Sequence, residues 1–226
     1  MNCNDSGTRN MKIGLDLDGT IYNMLDAIFE LDQIVREKLG YEPISKTEYR
    51  RLFQTENWRK LCLDLGIREA DTKEYRKKIE EMVGDMTPPA LIPGGRKAVK
   101  KIEDRWGVEN LYFVTNGGPD GIRRRFERDG LLYLFDRVSH PCEGKTDALF
   151  DIASENPEME FIYVGDLVSD GSACRQARSR GAENIRFCAV THEYAMNLPE
   201  MLIDFAHSHD FASNIESIGE IQKVWE

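Results

Sequence analysis

Three short apolar stretches of this chain end in polar residues that could do chemistry. The first ends Asp16-Leu17-Asp18-Gly19-Thr20, the second Thr115-Asn116-Gly117-Gly118, and the third Gly165-Asp166-Leu167-Val168-Ser169-Asp170. In an open parallel sheet, ligands bind outside the carboxyl ends of the strands, so the three clusters are expected to share one crevice. Asp16, Asp18, Asp166 and Asp170 would repel one another there, and burial would sharpen the conflict. A divalent cation removes it. Oxygen ligands with no His or Cys beside them favour Mg²⁺ over zinc. Mg²⁺ in turn attracts phosphate. The Thr115 hydroxyl, the backbone N–H groups around Asn116 and a lysine are candidates to hold the phosphoryl oxygens. Two aspartates two residues apart can divide the work: one attacks phosphorus, the other gives and takes the proton.

The elements needed to position these residues are legible. The segments 11–16, 111–115, 161–165 and 185–190 are short, apolar and bounded by turn residues, as strands buried on both faces should be. Helical patterns at about 95–105, 120–129, 146–155 and 171–180 fall between or after them. That alternation predicts an α/β fold, a doubly wound parallel sheet with helices on both faces. Between the first strand and the second lies a block of another kind. Apolar residues at Met24, Ile28, Leu31, Val35 and Leu39 predict a helix, with Asn23 as its cap and Gly40 beyond its end. Ser45-Lys46-Thr47-Glu48 is a capping box that opens a second helix; a third is expected over 58–65 and a charged fourth over about 68–83. Pro88, Pro89, Pro93, Gly94 and Gly95 then read as a linker. The expected organisation is a loose tail at 1–10, an α/β core of 11–22 and 91–226, and an all-helical insertion at 23–90.

Composition narrows the class. The 226 residues are 41% hydrophobic and 31% charged, an ordinary globular mixture able to bury a core. Thirty basic residues against forty acidic ones give a net charge of −10, which disfavours non-specific nucleic-acid binding. No apolar run is long enough to span a bilayer, and the polar start lacks the pattern of a signal peptide. Five widely spaced cysteines without a C-x-x-C predict reduced thiols and a cytoplasmic location.

Together the motifs resemble the haloacid dehalogenase-like hydrolases, in particular the phosphatase branch with a helical cap inserted after the first motif. The resemblance rests on Asp16-x-Asp18-Gly19-Thr20, Thr115-Asn116-Gly117, Lys145, and Gly165-Asp166-x-x-x-Asp170, in that order. It implies a Rossmann-like core and a Mg²⁺-dependent phosphomonoester hydrolase. Asp16 would be the nucleophile that forms an aspartyl-phosphate, and Asp18 the acid–base group. Thr115 and Asn116 would bind the phosphoryl group, and Lys145 would neutralise it together with Asp16. Asp16, the backbone carbonyl of Asp18, Asp166 and Asp170 would hold the metal. The implied substrate is a small metabolite phosphate, since relatives of this layout include phosphoglycolate phosphatases and 5′-nucleotidases. A phosphomutase of the β-phosphoglucomutase type would use the same residues, and a degenerate ligand binder is the non-enzymatic alternative. Lys145 is followed by Thr146 where the family has Pro, and Asn23-Met24 stands where many relatives have Asp-Ser.

Other readings of single motifs are weaker. Asp16-x-Asp18-Gly19 is no EF-hand, because Ile21 occupies the position that needs glycine. Gly144-Lys145-Thr146 resembles the end of a P-loop, but Ser139 stands at its first glycine and Pro141 stiffens it. Arg123-Arg124-Arg125 is expected on a solvated helix face, and His207 and His209 on the surface. Tyr41, Tyr49 and Trp58 are expected to pack inside the insertion.

Overall fold

A computed structural model describes residues 11–53, 58–141 and 144–225. The expected tail at 1–10 lies outside the described residues, as do Cys3 and Cys142. Six strands among the described residues form one parallel sheet: β1 (Met11–Leu15), β2 (Leu111–Val114), β3 (Val138–Ser139), β4 (Glu160–Gly165), β5 (Ile185–Val190) and β6 (Ala212–Ile215). Their order is β3-β2-β1-β4-β5-β6. The chain winds outward from β1 to β2 and β3, then returns to place β4 on the other side of β1. The β1/β4 boundary is therefore the topological switch point, where a crevice opens. Strands β1, β4 and β5 are apolar almost throughout because helices cover both faces.

Those helices are α5 (Gly95–Trp106), α6 (Pro119–Arg128), α7 (Thr146–Ser154), α8 (Val168–Ser179) and α9 (Pro199–His207). One side of the sheet is built on Ile13, Leu15, Ile102, Phe113, Phe126 and Ile162. The other uses Val114, Leu149, Phe161, Tyr163, Phe187 and Leu202. Two strands, β3 and β6, are absent from the sequence reading. Both lie at the sheet edges, and β3 is two residues long, too short to show a period.

The insertion contains α1 (Leu25–Lys38), α2 (Lys46–Leu52), α3 (Trp58–Asp64) and α4 (Thr72–Asp85), and no strand among its described residues. Ser45 caps α2 by accepting the Glu48 N–H at 3.1 Å, as the capping box requires. Asn23 does not cap α1. The helix starts after Met24, and the Asn23 amide instead donates to Asp26 at 3.2 Å. Short backbone pairings hold the two crossings side by side: Asn23 N–H donates to Ala90 O at 2.9 Å and Ile92 N–H to Ile21 O at 2.8 Å.

The helical cap has its own apolar cluster, including Leu25, Val35, Tyr49, Leu61, Tyr75 and Ile79. Leu167 and Met196, from loops at the carboxyl ends of β4 and β5, belong to the same cluster. Apolar contact thus closes the cap over the strand ends. Tyr49 is buried there, and Tyr41 and Trp58 are half-buried against it. No described helix is long and apolar enough to cross a membrane. Cys62, Cys174 and Cys188 are free thiols, all buried.

Candidate active site

Asp16 follows β1 directly. Its N–H donates to Val164 O at 2.8 Å, which extends the β1/β4 pairing by one residue and fixes the carboxylate over the switch point. The chain then turns back at Gly19, whose φ is +88°. A Cβ there would collide with Asp166 Oδ2, so both the turn and the neighbouring carboxylate require glycine. Thr20 follows, and its hydroxyl donates to Asp166 Oδ1 at 3.0 Å. The second Asp166 oxygen accepts the Met196 N–H at 2.5 Å.

Lys145, at the start of α7, reaches into the same space. Its ammonium lies 3.0 Å from Asp16 Oδ1 and 2.7 Å from Asp170 Oδ1. Asp170 Oδ2 accepts the Leu167 N–H at 3.1 Å, so this residue also ties down the first turn of α8. Asp16, Asp166 and Asp170 each offer an oxygen within 4.8 Å of the others, and all three are buried. Burial, against the pull of Lys145, holds Asp16 well above the usual carboxylate range, and Asp170 and Asp166 add to the rise. Burial and Asp170 push Asp166 up to about 7. Three carboxylates facing one ammonium leave an excess of negative charge that a divalent cation would cancel. The donor set is all oxygen, which suits a hard cation.

The remaining motif residues take other places. The Asp18 carboxylate pairs with Arg125 of α6. Thr115 directly follows β2, the strand paired with β1, and is 1% exposed. Its hydroxyl accepts the Gly117 N–H at 3.1 Å, closing the turn 115–117. Asn116 is exposed at the rim. The P-loop alternative finds no support: Lys145 engages Asp16 and Asp170, while the Thr146 hydroxyl donates outward to Gln176 at 3.2 Å.

The expectation of a solvated arginine face holds only in part. Arg123 and Arg124 are exposed, but Arg125 is 4% exposed and points inward, so the basic cluster is not wholly a solvated face. His207 is exposed, while His209 stacks on Phe205 with ring centroids 4.1 Å apart. Asn197 carries no sequence signal, yet it is fully buried at the joint of cap and core. Its side chain accepts the Val168 N–H at 2.8 Å and donates to Arg50 O at 3.2 Å and Phe53 O at 2.6 Å. The Arg50 guanidinium returns a bond to Asn197 O at 2.7 Å.

A parallel sheet with carboxylates at its switch point, a lysine between them and a helical cap defines a class, and comparison with known proteins agrees. Residues 13–183 match the haloacid dehalogenase-like hydrolases, and the chain belongs to that family of enzymes. A phosphoglycolate phosphatase of Synechococcus elongatus is 25% identical over 166 residues, covering 71% of this chain and 77% of its own. A haloacid dehalogenase-like hydrolase from Streptococcus pneumoniae superposes with a TM-score of 0.74 at 16% identity, over 96% of this chain and 99% of the other. A family hydrolase from Deinococcus radiodurans, solved with bound phosphate and sodium, gives 0.67 at 14% identity over 96% and 95%. These two structural likenesses speak for the fold.

Proposed function

We propose that this chain is a Mg²⁺-dependent phosphomonoester hydrolase that works through an aspartyl-phosphate on Asp16 and acts on a small phosphorylated metabolite. The observation that carries the reading is the Asp16 carboxylate at the switch point, 3.0 Å from Lys145 and grouped with Asp166 and Asp170. A curated phosphoglycolate phosphatase relative supports phosphate ester chemistry. The cap of 23–90 would close over the strand ends and exclude bulk water.

Asp16 attacks phosphorus, and the bond from phosphorus to the ester oxygen breaks. Asp18 donates its proton to the departing alkoxide. Asp18, now a carboxylate, takes a proton from water as that water's oxygen attacks the phosphoryl group. Inorganic phosphate leaves and Asp16 is restored. Lys145 offsets the charge of Asp16 and of the phosphoryl oxygens, while Thr115 and the turn at Asn116 hold the transferring group. Asp16, the backbone carbonyl of Asp18, Asp166 and Asp170 would hold Mg²⁺, which when bound supplies charge neutralisation for the phosphoryl group. With Asp16 only 3% exposed, substrate must enter by opening the cap.

Phosphate release from 2-phosphoglycolate, sugar phosphates and nucleotides, with Mg²⁺, tests this reading. Wild type should release phosphate, and Asp16→Asn should lose it almost completely. Equal rates for the two proteins would overturn the proposal. Conversion of a sugar phosphate to its isomer without net phosphate release would favour the mutase.

A further inference from the structure

Arg125 occupies a buried face of α6 that is otherwise apolar. Ile122 and Phe126 of α6 are both fully buried, and Arg125 lies on the same face, one residue before Phe126 and three after Ile122. Its side chain runs inward over the Tyr22 ring, with the guanidinium 4.9 Å from the ring centroid. A guanidinium this buried needs a carboxylate partner. Asp18 fills that place.

The pair sits against the turn that ends β2. A Cβ on Gly117 would stand 3.3 Å from Arg125 Nη2 and 3.3 Å from Asp18 Oδ2. Both ends of the ion pair therefore converge on the backbone of the 115–117 turn. Lys145 and Arg125 serve different carboxylates. Lys145 serves Asp16 and Asp170, whereas Arg125 serves Asp18. A carboxylate that must pass a proton to and from reacting oxygens needs one fixed direction, and a planar guanidinium fixes direction better than a lone ammonium.

We propose that Arg125 is a positioning residue for phosphoryl transfer, holding the Asp18 carboxylate at a single rotamer beside the 115–117 turn. The inference rests on the hydrolase reading above, in which Asp18 handles the proton. Arg125 does not touch the transferring group. It acts through Asp18 alone, so its effect must vanish when Asp18 can no longer carry a proton.

A double-mutant cycle reads that dependence. The proteins are wild type, Arg125→Met, Arg125→Lys, Asp18→Asn and the two combinations with Asp18→Asn. The substrate is the best alkyl phosphate from the release panel, with Mg²⁺ saturating, and kcat and KM are measured separately. Arg125→Met should lower kcat about 10- to 100-fold with KM changed less than about twofold, since general acid–base catalysis by a positioned group is worth about 10²–10⁴-fold in total. Arg125→Lys should fall between, keeping the charge but losing the fork. In the Asp18→Asn background neither change should lower kcat further.

Equal losses in both backgrounds would overturn the proposal, as would a loss confined to KM, which would make Arg125 a substrate-binding group. If Arg125→Met does not fold, the Arg125→Lys arm decides by the same criterion. Guanidinium added to Arg125→Met should restore part of kcat, and a merely structural role would show no such rescue. Failure of the hydrolase reading looks different. There the wild type itself releases no more phosphate than Asp16→Asn, before any arginine variant is compared.

Discussion

Two of the regions in which the molecule buries charge are built differently. Inside the cap, Asp32 accepts Arg36 Nε at 3.0 Å and Gln33 Nε2 at 2.8 Å, and it also accepts the Tyr75 hydroxyl. Arg36 bonds on to the carbonyls of Glu42 and Leu65. Asp32 and Arg36 are 1% and 3% exposed, and the charges cancel. At the strand ends, by contrast, three carboxylates, Asp16, Asp166 and Asp170, crowd together, and Lys145 pairs with Asp16 and Asp170. The balanced network fixes a shape. The unbalanced one leaves room for a cation and an anionic substrate. Charge that is cancelled suits a structural role, whereas charge left in excess suits a site that takes up a cation.

The largest expected effect separates the two regions most cleanly. Asp16→Asn should lower phosphate release at least about 10³-fold, the scale of losing a covalent nucleophile. Its melting temperature should hold or rise, because one of the crowded carboxylates is gone and Asn keeps a polar contact with Lys145. Thermal unfolding beside the activity assay checks this. A variant that loses both activity and several degrees of stability would erase the contrast.

Arg36→Met is the converse case. It strands Asp32 in a buried place with its hydroxyl and amide donors but no cation. Breaking a buried pair from one side costs about 3–5 kcal/mol. Chemical denaturation should show a loss of that order, while kcat per folded molecule stays within a few-fold of wild type. A collapse of kcat with unchanged stability would mean that the cap network belongs to the reaction.

Mg²⁺ and pH sharpen the contrast further. In metal-free protein, burial raises Asp16 well above the carboxylate range and Asp166 to about 7. A carboxyl group raised on folding binds its proton more tightly in the folded state. Its contribution is complete below the unfolded value near 4 and is lost as pH rises through the folded value. The melting temperature in EDTA should therefore fall between about pH 5 and 8. Burial raises Asp32 as well, so the pH trend in EDTA alone mixes both regions. The difference between Mg²⁺ and EDTA isolates the strand ends, and it should grow with pH as the cation takes the place of protons. A difference that is zero at every pH would argue against a metal site at Asp16, Asp166 and Asp170.

The contrast also explains what the sequence could show. Residues at the carboxyl ends of buried strands are legible because an apolar run ending in Asp or Thr is unusual and its place on the sheet follows from topology. Asp16, Thr115 and Asp166 stand out in the sequence for that reason. Arg125 is harder to read, because three successive arginines on a helix cannot all face inward and the sequence does not say which one turns. Tyr22 and Asp18, the groups that draw it in, lie about a hundred residues earlier in the chain. Asn197 was invisible for a similar reason: its partners Arg50, Phe53 and Val168 come from separate elements. The missed strands β3 and β6 are edge strands, whose pairing depends on neighbours more than on their own pattern.

Asn197 supplies the smallest effect, and it tests the seam between the two regions. Its side chain joins the end of α2 to the start of α8, and its own N–H donates to Asp166 O at 3.3 Å. Asn197→Ala removes three side-chain bonds at a buried site and leaves the carbonyls of Arg50 and Phe53 and the Val168 N–H without that partner. Each unsatisfied buried group costs about 1–3 kcal/mol before water relieves it. Opening the seam admits water, so the net loss of stability should be nearer about 1–2 kcal/mol. The kinetic effect should fall on KM more than on kcat, by a few-fold, because the cap would close less firmly while the carboxylates of the core stay where β1 and β4 hold them. A kcat loss as large as that of Asp16→Asn would show that the cap joint positions the reacting carboxylates themselves. The division between a cap that shapes and a core that reacts would then have to be given up.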